Sequence, residues 1–307
     1  MSLTVRSGDA DAAGPTRWPP GAAPVAVVMI SLNEAHNMEP VLENLRSWAQ
    51  EVFLVDSFSR DETVDIALRH GVRVVQRPFR GFGDQWNFAL RELPITALFA
   101  MKLDPDERLS DGLKTAIIDA TTRGGWDGLK VCRRWWFMGK PLPITESILR
   151  VWKTGLCRFS DVSVNEHPLV EGRIDEVSAE LEHLDSPDLD HWFEKQNRYS
   201  TAEAVSSVQG AQLAVAPRLL GDTLQRRMWL KRALRRLPLH HHLLFLYYYF
   251  PKGLWRAGRV GYIAARLWSD VWRIRAYKRY EMELTGRLPA KRRFGAGLPD
   301  TRVRQFE

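Results

Sequence analysis

Residues 25–30 (VAVVMI) and residues 98–103 (LFAMKL) decide the fold, and the second stretch runs directly into Asp104-Pro105-Asp106-Glu107. The unbroken apolar run at residues 25–30 is typical of a strand buried on both faces, as the strands of a parallel sheet are. Residues 98–103, 51–56 (EVFLVD) and 72–75 (VRVV) are mainly apolar and indicate further strands. Because segments with helical apolar spacing lie between these runs, we predict an α/β fold: a Rossmann-like, mostly parallel sheet flanked by helices.

The composition is that of a folded protein and excludes several classes. The 307 residues are 45% hydrophobic and 26% charged, which rules out wholesale disorder, and the length allows one or two domains. The two cysteines exclude a disulfide scaffold and a structural zinc cluster. No Gly-rich phosphate loop follows the first apolar run, so neither a dinucleotide enzyme nor a P-loop kinase is expected.

No targeting or membrane-spanning segment is predicted. Residues 1–23 lack the basic start and apolar run of a secretory signal, so we expect a disordered leader. The longest strongly apolar stretch, residues 243–250, is far shorter than the roughly 20 residues that a spanning helix needs. We therefore expect a cytoplasmic protein.

The net charge of +7 is divided unevenly along the chain. Residues 1–217 carry 23 basic and 31 acidic side chains, a balance of −8, whereas residues 218–307 carry 21 and 6, a balance of +15. We therefore predict a folded domain at residues 24–215 and a distinct basic, helical segment at residues 216–307.

Polar side chains follow three of the predicted strands. Asn33 and Glu34 follow the first, Asp56 ends the second, and Asp104 and Asp106 follow the fourth. Since ligands of open parallel sheets bind at the carboxyl ends of the strands, we expect these groups to lie together along that edge of the sheet, which we call the rim. Two carboxylates one residue apart suit a hard divalent cation such as Mg²⁺ or Mn²⁺, which in turn suits a diphosphate. A solvated acidic turn is the alternative.

Four blocks, in this order, resemble family-two glycosyltransferases of the GT-A fold: VVMISLNEAHN (27–37), EVFLVDSFSRDET (51–63), RPFRGFGDQWNFAL (77–90) and LDPDER (103–108). The resemblance is greatest to the branch that includes lipopolysaccharide-core β-glucosyltransferases. It continues through VSVNEH (162–167), LEHLD (181–185) and EKQNRYST (194–201). It implies a GT-A catalytic domain with a nucleotide-binding half at residues 24–109 and an acceptor half at residues 110–215.

The resemblance also implies roles for individual residues. The nucleotide-sugar donor would contact Asn33, Glu34, Asp56, Gln85, Asn87, Lys102 and Asp104. Asp104 and Asp106 would form the metal motif, with Asp106 the more direct ligand. Trp86 departs from the family, which often carries Arg or Lys at that position. The cations that would compensate are Arg77, Arg80 or Lys102.

Inverting transfer needs a base that deprotonates the acceptor hydroxyl. The resemblance makes Glu166 the candidate base and Asp161 its backup, and a surface ion pair is the alternative role for Glu166. His183 would bind the metal or phosphate, or else be a satisfied core histidine. The candidate phosphate or acceptor groups are Arg150, Lys153, Lys195, Arg198 and Tyr199, and the candidates for stacking on sugar are Trp135, Trp136 and Trp152. Solvated faces and ordinary core packing are the alternatives.

The basic segment has the pattern of a helix that lies on a membrane. On a helix over residues 256–274, arginines fall on one side and Val260, Leu267 and Trp268 on the other. The basic cluster at residues 226–236 would add attraction for anionic lipid headgroups, and the apolar run at residues 243–250 would dip into the interface. Packing against the acidic domain is the alternative. Nucleic acid ranks last as a partner because no nucleic-acid-binding module is recognisable.

Together these features predict a metal-dependent, inverting, hexosyltransferase-like enzyme. It would move a sugar from a nucleotide-diphosphate sugar to a lipid-linked or lipopolysaccharide/polysaccharide acceptor, as a peripheral protein on the inner face of the cell membrane. Two alternatives from other classes stay open. One is a nucleotidyltransferase on a similar sheet, and the other is a non-catalytic membrane-binding protein with a degenerate transferase domain.

Overall fold

The computed structural model describes residues 17–160, 167–208, 226 and 240–289. The strands in these residues are β1 (Ala23–Ser31), β2 (Ala49–Asp56), β3 (Arg73–Gln76), β4 (Phe99–Lys102), β5 (Glu107–Leu109), β6 (Gly128–Phe137), β7 (Lys140–Lys153), β8 (Cys157–Phe159), β9 (Pro168–Val170) and β10 (Ile174–His183). The helices are α1 (Ala35–Leu45), α2 (Thr63–Arg69), α3 (Phe82–Glu92), α4 (Asp111–Arg123), α5 (Leu189–Val208), α6 (His240–Tyr249) and α7 (Gly258–Thr285). A 3-10 turn at Leu254–Ala257 precedes α7.

The central sheet has the strand order β3-β2-β1-β4-β7-β6-β10-β5. Strands β1 to β4 pair in parallel, as do β6 and β10, while β4–β7, β6–β7 and β5–β10 are antiparallel. Helices pack on both faces of this sheet. The predicted fold class, a mostly parallel sheet flanked by helices, is therefore confirmed.

Strand β1 shows why its sequence is an unbroken apolar run. Val25, Val27 and Met29 enter the hydrophobic cluster that also contains residues of α1, α2 and α4. Ala26 and Val28, which point to the other face, enter the cluster that contains residues of α3. Because successive side chains of a strand alternate between faces, a strand covered on both sides needs apolar residues at every position.

The region after Trp126 is more regular than the sequence indicated. In the sequence, short β-like runs such as residues 128–139 and 148–152 mix with aromatic and basic residues, which predicts a less regular extension packed on the sheet. In the structure, the long β6–β7 hairpin and β10 continue the central sheet. Charged residues within these strands obscured the pattern. Arg133 pairs with Glu146 across the hairpin at 2.7 Å, and Arg134 pairs with Glu180 on β10. Such cross-strand pairs let polar residues occupy strand positions.

The end of the predicted leader is part of the folded protein. Trp18 is buried, its indole N–H donates to the carbonyl of Ala49 at 2.9 Å, and its backbone N–H donates to the carbonyl of Gly71 at 2.9 Å. Residues 17–22 are therefore held against β2 and the end of α2, and the remainder of the leader lies outside the described residues.

The chain divides into two compact units. The first contains the chain as far as Trp192 together with Leu244–Arg266, and the second contains Phe193 to Leu243 and the chain from Leu267 onward. Within the second unit, the ammonium group of Lys278 on α7 donates to Asn197 Oδ1 at 2.6 Å and to Ser200 Oγ at 2.8 Å. The helical C-terminal region is thus confirmed, while the boundary predicted between residues 215 and 216 lies outside the described residues. No described helix is both long and apolar enough to cross a bilayer.

Candidate active site

Asp56, the last residue of β2, is fully buried among hydrogen-bond donors. Its carboxylate accepts from Ser31 Oγ, Ser59 N and Gln76 Nε2, each at 2.9 Å. These donors come from the ends of β1 and β3 and from the loop after β2. Asp56 therefore ties three strand ends together at the predicted rim, and its contact with a nucleoside stays a prediction.

The loop after β1 is bonded to the loop after β2. Asn33 has a left-handed backbone (φ 59°), its N–H donates to Ser59 Oγ at 2.8 Å, and its Oδ1 accepts from the N–H of Arg60 at 2.8 Å. The N–H of Glu34 donates to Thr63 Oγ1 at 2.8 Å. Asn33 and Glu34 thus lie on the same rim as Asp56, as the sequence predicted.

Asp104 faces cations. Arg150 Nη2 donates to Asp104 Oδ2 at 3.0 Å, and Lys102 Nζ lies 4.0 Å from Oδ1. Burial alone would raise the pKa of Asp104, but Lys102 and Arg150 together lower it below the ordinary value. Asp104 is therefore held as a carboxylate within a buried cationic setting.

Glu107, which the sequence did not single out, fixes the backbone of the loop that contains Asp104 and Asp106. It is fully buried, accepts a hydrogen bond from Arg150, and accepts from the backbone N–H of Asp104 at 3.0 Å through Oε2. Arg133 lies 3.7 Å from its other oxygen. A buried carboxylate is stable only with such partners. Glu107 and Arg150 therefore hold the acidic loop, residues 104–106, in place.

Asp106, His183 and Asp185 offer ligand atoms that all lie within 4.8 Å of one another. Nε2 of His183 is 3.4 Å from Asp106 Oδ2, and the N–H of Leu184 donates to the carbonyl of Asp106 at 2.9 Å. Burial would lower the pKa of His183, but the Asp106 carboxylate raises it above the ordinary value. Two carboxylates and an imidazole are donors that fit Mg²⁺ or Mn²⁺.

This cluster also shows an unmet hydrogen-bonding need. Nδ1 of His183 is buried and has no hydrogen-bond partner in the described part of the chain. The sequence placed Asp104, Asp106 and His183 at the metal; the structure groups Asp106 and His183 with Asp185 instead, and ion-pairs Asp104 with Arg150. Metal ligation by Asp104 stays a prediction.

A second group of potential ligands, Glu39, Glu43 and His70, lies on α1 and just after α2. Its acidic members are exposed, and Arg46 already pairs with Glu43 at 3.0 Å. The local charge is thus partly neutralised by protein, which makes this group a poorer cation site than the one at Asp106.

Helix α3 supplies the block expected at the diphosphate. Gln85 is fully buried, with its amide N–H donating to Ser57 Oγ at 3.2 Å and its Oε1 unpartnered among the described residues. Asn87 donates to the carbonyl of Phe159 at 3.0 Å and accepts from the N–H of Phe159 at 2.8 Å. Asn87 therefore fastens β8 to α3, and its donor contact stays a prediction.

Trp86 is a core residue. It is fully buried and stacks on Phe159 with ring centroids 5.5 Å apart. Lys102 Nζ lies 4.7 Å from the centroid of the Trp86 ring, within cation–π distance. The structure thus places the buried Lys102 ammonium group over the Trp86 ring, and compensation for the missing Arg or Lys by Arg77, Arg80 or Lys102 stays a prediction.

The comparisons with known proteins bear on this rim directly. The sequence profile described as Glycosyl transferase family 2 matches residues 26–149, which include β1 to β4, the acidic loop and most of the β6–β7 hairpin. Residues 26–149 are a glycosyl transferase family 2 domain. The suspected family is thereby confirmed for this transferase domain.

The relatives of the transferase domain agree with that assignment. The chain is 28% identical over 258 residues to the lipopolysaccharide core biosynthesis glycosyltransferase LpsC of Rhizobium meliloti (strain 1021), covering 79% of this chain and 86% of LpsC. It is 36% identical over 93 residues to an uncharacterized glycosyltransferase of Rickettsia bellii, which is 30% of this chain and 31% of that protein.

Solved structures resemble the chain more distantly. The mannosyltransferase PcManGT from Pyrobaculum calidifontis, in complex with GDP-Man and Mn²⁺, is 17% identical, covers 83% of this chain and 90% of its own, and gives a TM-score of 0.44. S. aureus TarS 1-349 in complex with UDP-GlcNAc is 16% identical, with 86% and 92% covered and a TM-score of 0.44.

The remaining predicted residues lie in different parts of the chain. Lys153 pairs with Asp127 at 2.8 Å and lies opposite Phe99, at the start of β4, so it is at the other end of that strand from the acidic loop of the transferase domain. Lys195, Arg198 and Tyr199 belong to the second unit. The proposed bases, Glu166 and Asp161, lie outside the described residues.

The three tryptophans proposed to stack on sugar differ in burial and in their contacts. Trp152 is buried in the hydrophobic cluster that contains Trp86 and Phe159, and Trp135 packs edge-on against His183 with ring centroids 4.6 Å apart. Trp136 lines a shallow depression beside Asp185, together with Met138, Asp188 and Trp192. Its indole N–H is buried without a hydrogen-bond partner among the described residues.

Met138 has an unusual backbone at the edge of this depression. Met138 and Gly139 connect β6 to β7 with φ values of 50° and 69°, as a two-residue type I′ hairpin turn requires. A non-glycine residue in this region is uncommon because its Cβ crowds the backbone. The exposed Met138 side chain thus lies at the edge of the depression, although its left-handed backbone is unfavourable.

Proposed function

We propose that the protein is a metal-dependent, inverting glycosyltransferase. It moves a sugar from a nucleotide-diphosphate sugar to a lipid-linked or lipopolysaccharide/polysaccharide acceptor at the inner face of the cell membrane. The observation that carries this proposal is the group Asp106, His183 and Asp185, which adjoins the pairing of Asp104 with Lys102 and Arg150. An acidic cation site next to a buried lysine complements the charge of a diphosphate.

The described residues have separate tasks in this proposal. Asp106, His183 and Asp185 would hold Mg²⁺ or Mn²⁺, which when bound neutralises the charge of the departing diphosphate. Lys102 adds a positive charge that is already desolvated, so it acts without solvent reorganisation. Arg150 and Glu107 hold the acidic loop in place, which keeps these groups at a fixed distance from each other.

The transfer itself exchanges one bond for another. The acceptor hydroxyl attacks the anomeric carbon from the face opposite the diphosphate, the bond from that carbon to the diphosphate oxygen breaks, and the nucleoside diphosphate leaves. The hydroxyl proton passes to a carboxylate base. From the sequence resemblance we assign this role to Glu166, with Asp161 as the backup.

The acceptor is proposed from the relative and from the depression at Asp185. LpsC is a lipopolysaccharide core biosynthesis glycosyltransferase by name and covers most of this chain. The depression is lined by the partly exposed Trp136, by the buried Trp192 and by the carboxylates of Asp185 and Asp188. An accessible aromatic ring with adjacent hydrogen-bonding groups suits a sugar, so we assign the acceptor glycan to this side of the site.

The first test is titration calorimetry with a panel of UDP-, GDP- and ADP-sugars in the presence of Mg²⁺ or Mn²⁺. Binding of one nucleotide sugar that is lost on chelation supports the proposal, whereas no binding by any of them supports the non-catalytic alternative. Analysis of the products then separates the enzymes. A transferase releases nucleoside diphosphate, and a nucleotidyltransferase releases pyrophosphate.

Two substitutions test the metal site and the catalytic base independently. Asp106→Ala should abolish turnover while leaving the thermal unfolding midpoint near that of the wild type. Glu166→Gln should lower turnover much more than donor affinity, and wild-type turnover in this variant would transfer the role to Asp161.

A further inference from the structure

An exposed aromatic surface lies at the junction of α6 and α7, within the same compact unit as the acidic loop. Leu246, Tyr247 and Phe250 project from the end of α6, Trp255 from the 3-10 turn, and Tyr262 from the first turns of α7; each is about half exposed. Large apolar side chains in such numbers on one junction mark an interaction site. We call these five residues the junction surface.

The junction is rigidly built. Leu254 is fully buried, and the 3-10 turn that contains it packs against β7 of the central sheet. A methyl group placed on Gly261 would lie 1.8 Å from the carbonyl oxygen of Leu254, so only glycine permits this approach of α7 to the turn. The exposed side chains are thus presented from a fixed base on the sheet.

The exposed rings are supported by partly buried ones. Phe245 packs edge-on against Tyr262 with ring centroids 5.6 Å apart, and Tyr249 stacks on Phe245 at 5.5 Å. α6 therefore uses Phe245 and Tyr249 to pack on α7, and presents Leu246, Tyr247 and Phe250 outward.

The charged residues along the junction have one sign. Residues 244–266, which span it, contain Lys252, Arg256, Arg259 and Arg266 and no aspartate or glutamate. Lys252, Arg256 and Arg259 are exposed at the junction itself. Lys252 Nζ lies 5.8 Å from the Tyr247 ring, and Arg256 Cζ lies 5.4 Å from the Trp255 ring. Cations beside Trp and Tyr rings are the composition of a membrane interface, where the rings enter the headgroup layer and the cations meet lipid phosphates.

We propose that the junction surface docks the catalytic unit on an anionic lipid bilayer, with Phe250 and Trp255 inserted and Lys252 and Arg256 on the headgroups. This deepens the proposed function, because a lipid-linked acceptor requires the enzyme at a bilayer. It also relocates the contact that the sequence placed on the apolar side of α7. Val260, Leu267 and Trp268 on that side are only partly exposed, and Ala264 is buried.

The test is sedimentation of the full chain with vesicles of phosphatidylcholine, with and without phosphatidylglycerol. The wild type is expected to bind the anionic vesicles more strongly, and to lose this preference at high salt. Phe250→Ser with Trp255→Ser should lower the partition coefficient at least about tenfold, since the two aromatic rings that insert into the bilayer are lost. The matched control is Leu98→Ser, which replaces a 70% exposed leucine just before β4 and should leave partitioning unchanged.

A second variant removes two positive charges and keeps all five side chains of the junction surface. Lys252→Gln with Arg256→Gln should weaken binding to anionic vesicles by about 25-fold, since each charge contributes about fivefold. It should leave binding to pure phosphatidylcholine unchanged. Equal binding of the wild type to both vesicles, or wild-type partitioning of both double variants, would overturn the proposal.

Two controls separate this proposal from others. Calorimetry with nucleotide sugars in the absence of lipid should give the same donor affinity for the wild type and both double variants. Loss of donor binding in all proteins with membrane binding intact would contradict the proposed function and leave the docking surface standing. A wild-type dimer that becomes monomeric in the Phe250→Ser, Trp255→Ser variant would instead show that a second copy covers the junction surface, and would overturn lipid docking.

Discussion

Nε2 of His183, the last residue of β10, lies 3.4 Å from Oδ2 of Asp106 in the loop after β4. The two are brought together because β10 pairs with β5, which places His183 opposite Glu107. Asp185 follows two residues after His183 and completes the group. The proposed cation site therefore combines two segments that are distant in sequence: Asp106 in the loop after β4, and His183 with Asp185 at the end of β10.

Glu107 is predicted to stabilise the acidic loop. Glu107→Gln leaves Arg150 buried with only Asp104 as its carboxylate partner, and should lower the free energy of unfolding by about 2 kcal/mol or more. Urea denaturation measures this. Glu146→Gln, which removes the exposed partner of Arg133, should change it by less than about 0.5 kcal/mol. Equal stability of the two variants would mean that Glu107 does not stabilise the acidic loop.

Trp86 is predicted to be required by the core, not by the donor. Trp86→Arg restores the residue type common in the family but buries a charge between Phe159 and the sheet, and should cost at least about 3 kcal/mol of stability. Trp86→Phe keeps a ring beneath Lys102 and should be much milder. The thermal unfolding midpoints of both variants check this, and a fully stable Trp86→Arg protein with tighter donor binding would reject the structural role.

Lys102 is predicted to bind the diphosphate of the donor. Lys102→Met keeps the contact with the Trp86 ring but removes the charge, and should weaken nucleotide-sugar affinity by about tenfold, the effect of one charge-assisted contact. Lys153→Met removes a lysine at the other end of the β4–β7 pair and should bind donor as the wild type does. Equal affinities in calorimetry would exclude Lys102 from the donor site.

The sequence predicted the first half of the sheet well, because β1, β2 and β4 are covered on both faces and so are mainly apolar, while β3 is a short edge strand between α2 and α3. At β6 and β7 it indicated only short β-like runs, and it did not delimit β10, because Arg133, Arg134 and Glu180 occupy strand positions through ion pairs that only the sheet reveals. Periodicity cannot detect a strand whose polar residues are satisfied by neighbours distant in sequence.

The candidate site was predicted in the same uneven way. Asp106 and His183 were found, the first by its place after a buried strand and the second by resemblance. Asp185 was missed, although the spacing of His183 and Asp185 repeats that of Asp104 and Asp106 and was the available signal. Glu107 was missed because full burial of a glutamate depends on Arg150, which lies on β7 and is 43 residues away.

The central claim is that Asp106, His183 and Asp185 hold a divalent cation, and titration calorimetry with Mn²⁺ tests it most directly. The wild type should bind one Mn²⁺, and Asp185→Asn should weaken binding at least about tenfold because one of three protein ligands is lost. His70→Gln, which disrupts the second group with Glu39 and Glu43, should bind as the wild type does. Wild-type Mn²⁺ affinity in Asp185→Asn, or loss of binding in His70→Gln, would contradict the account.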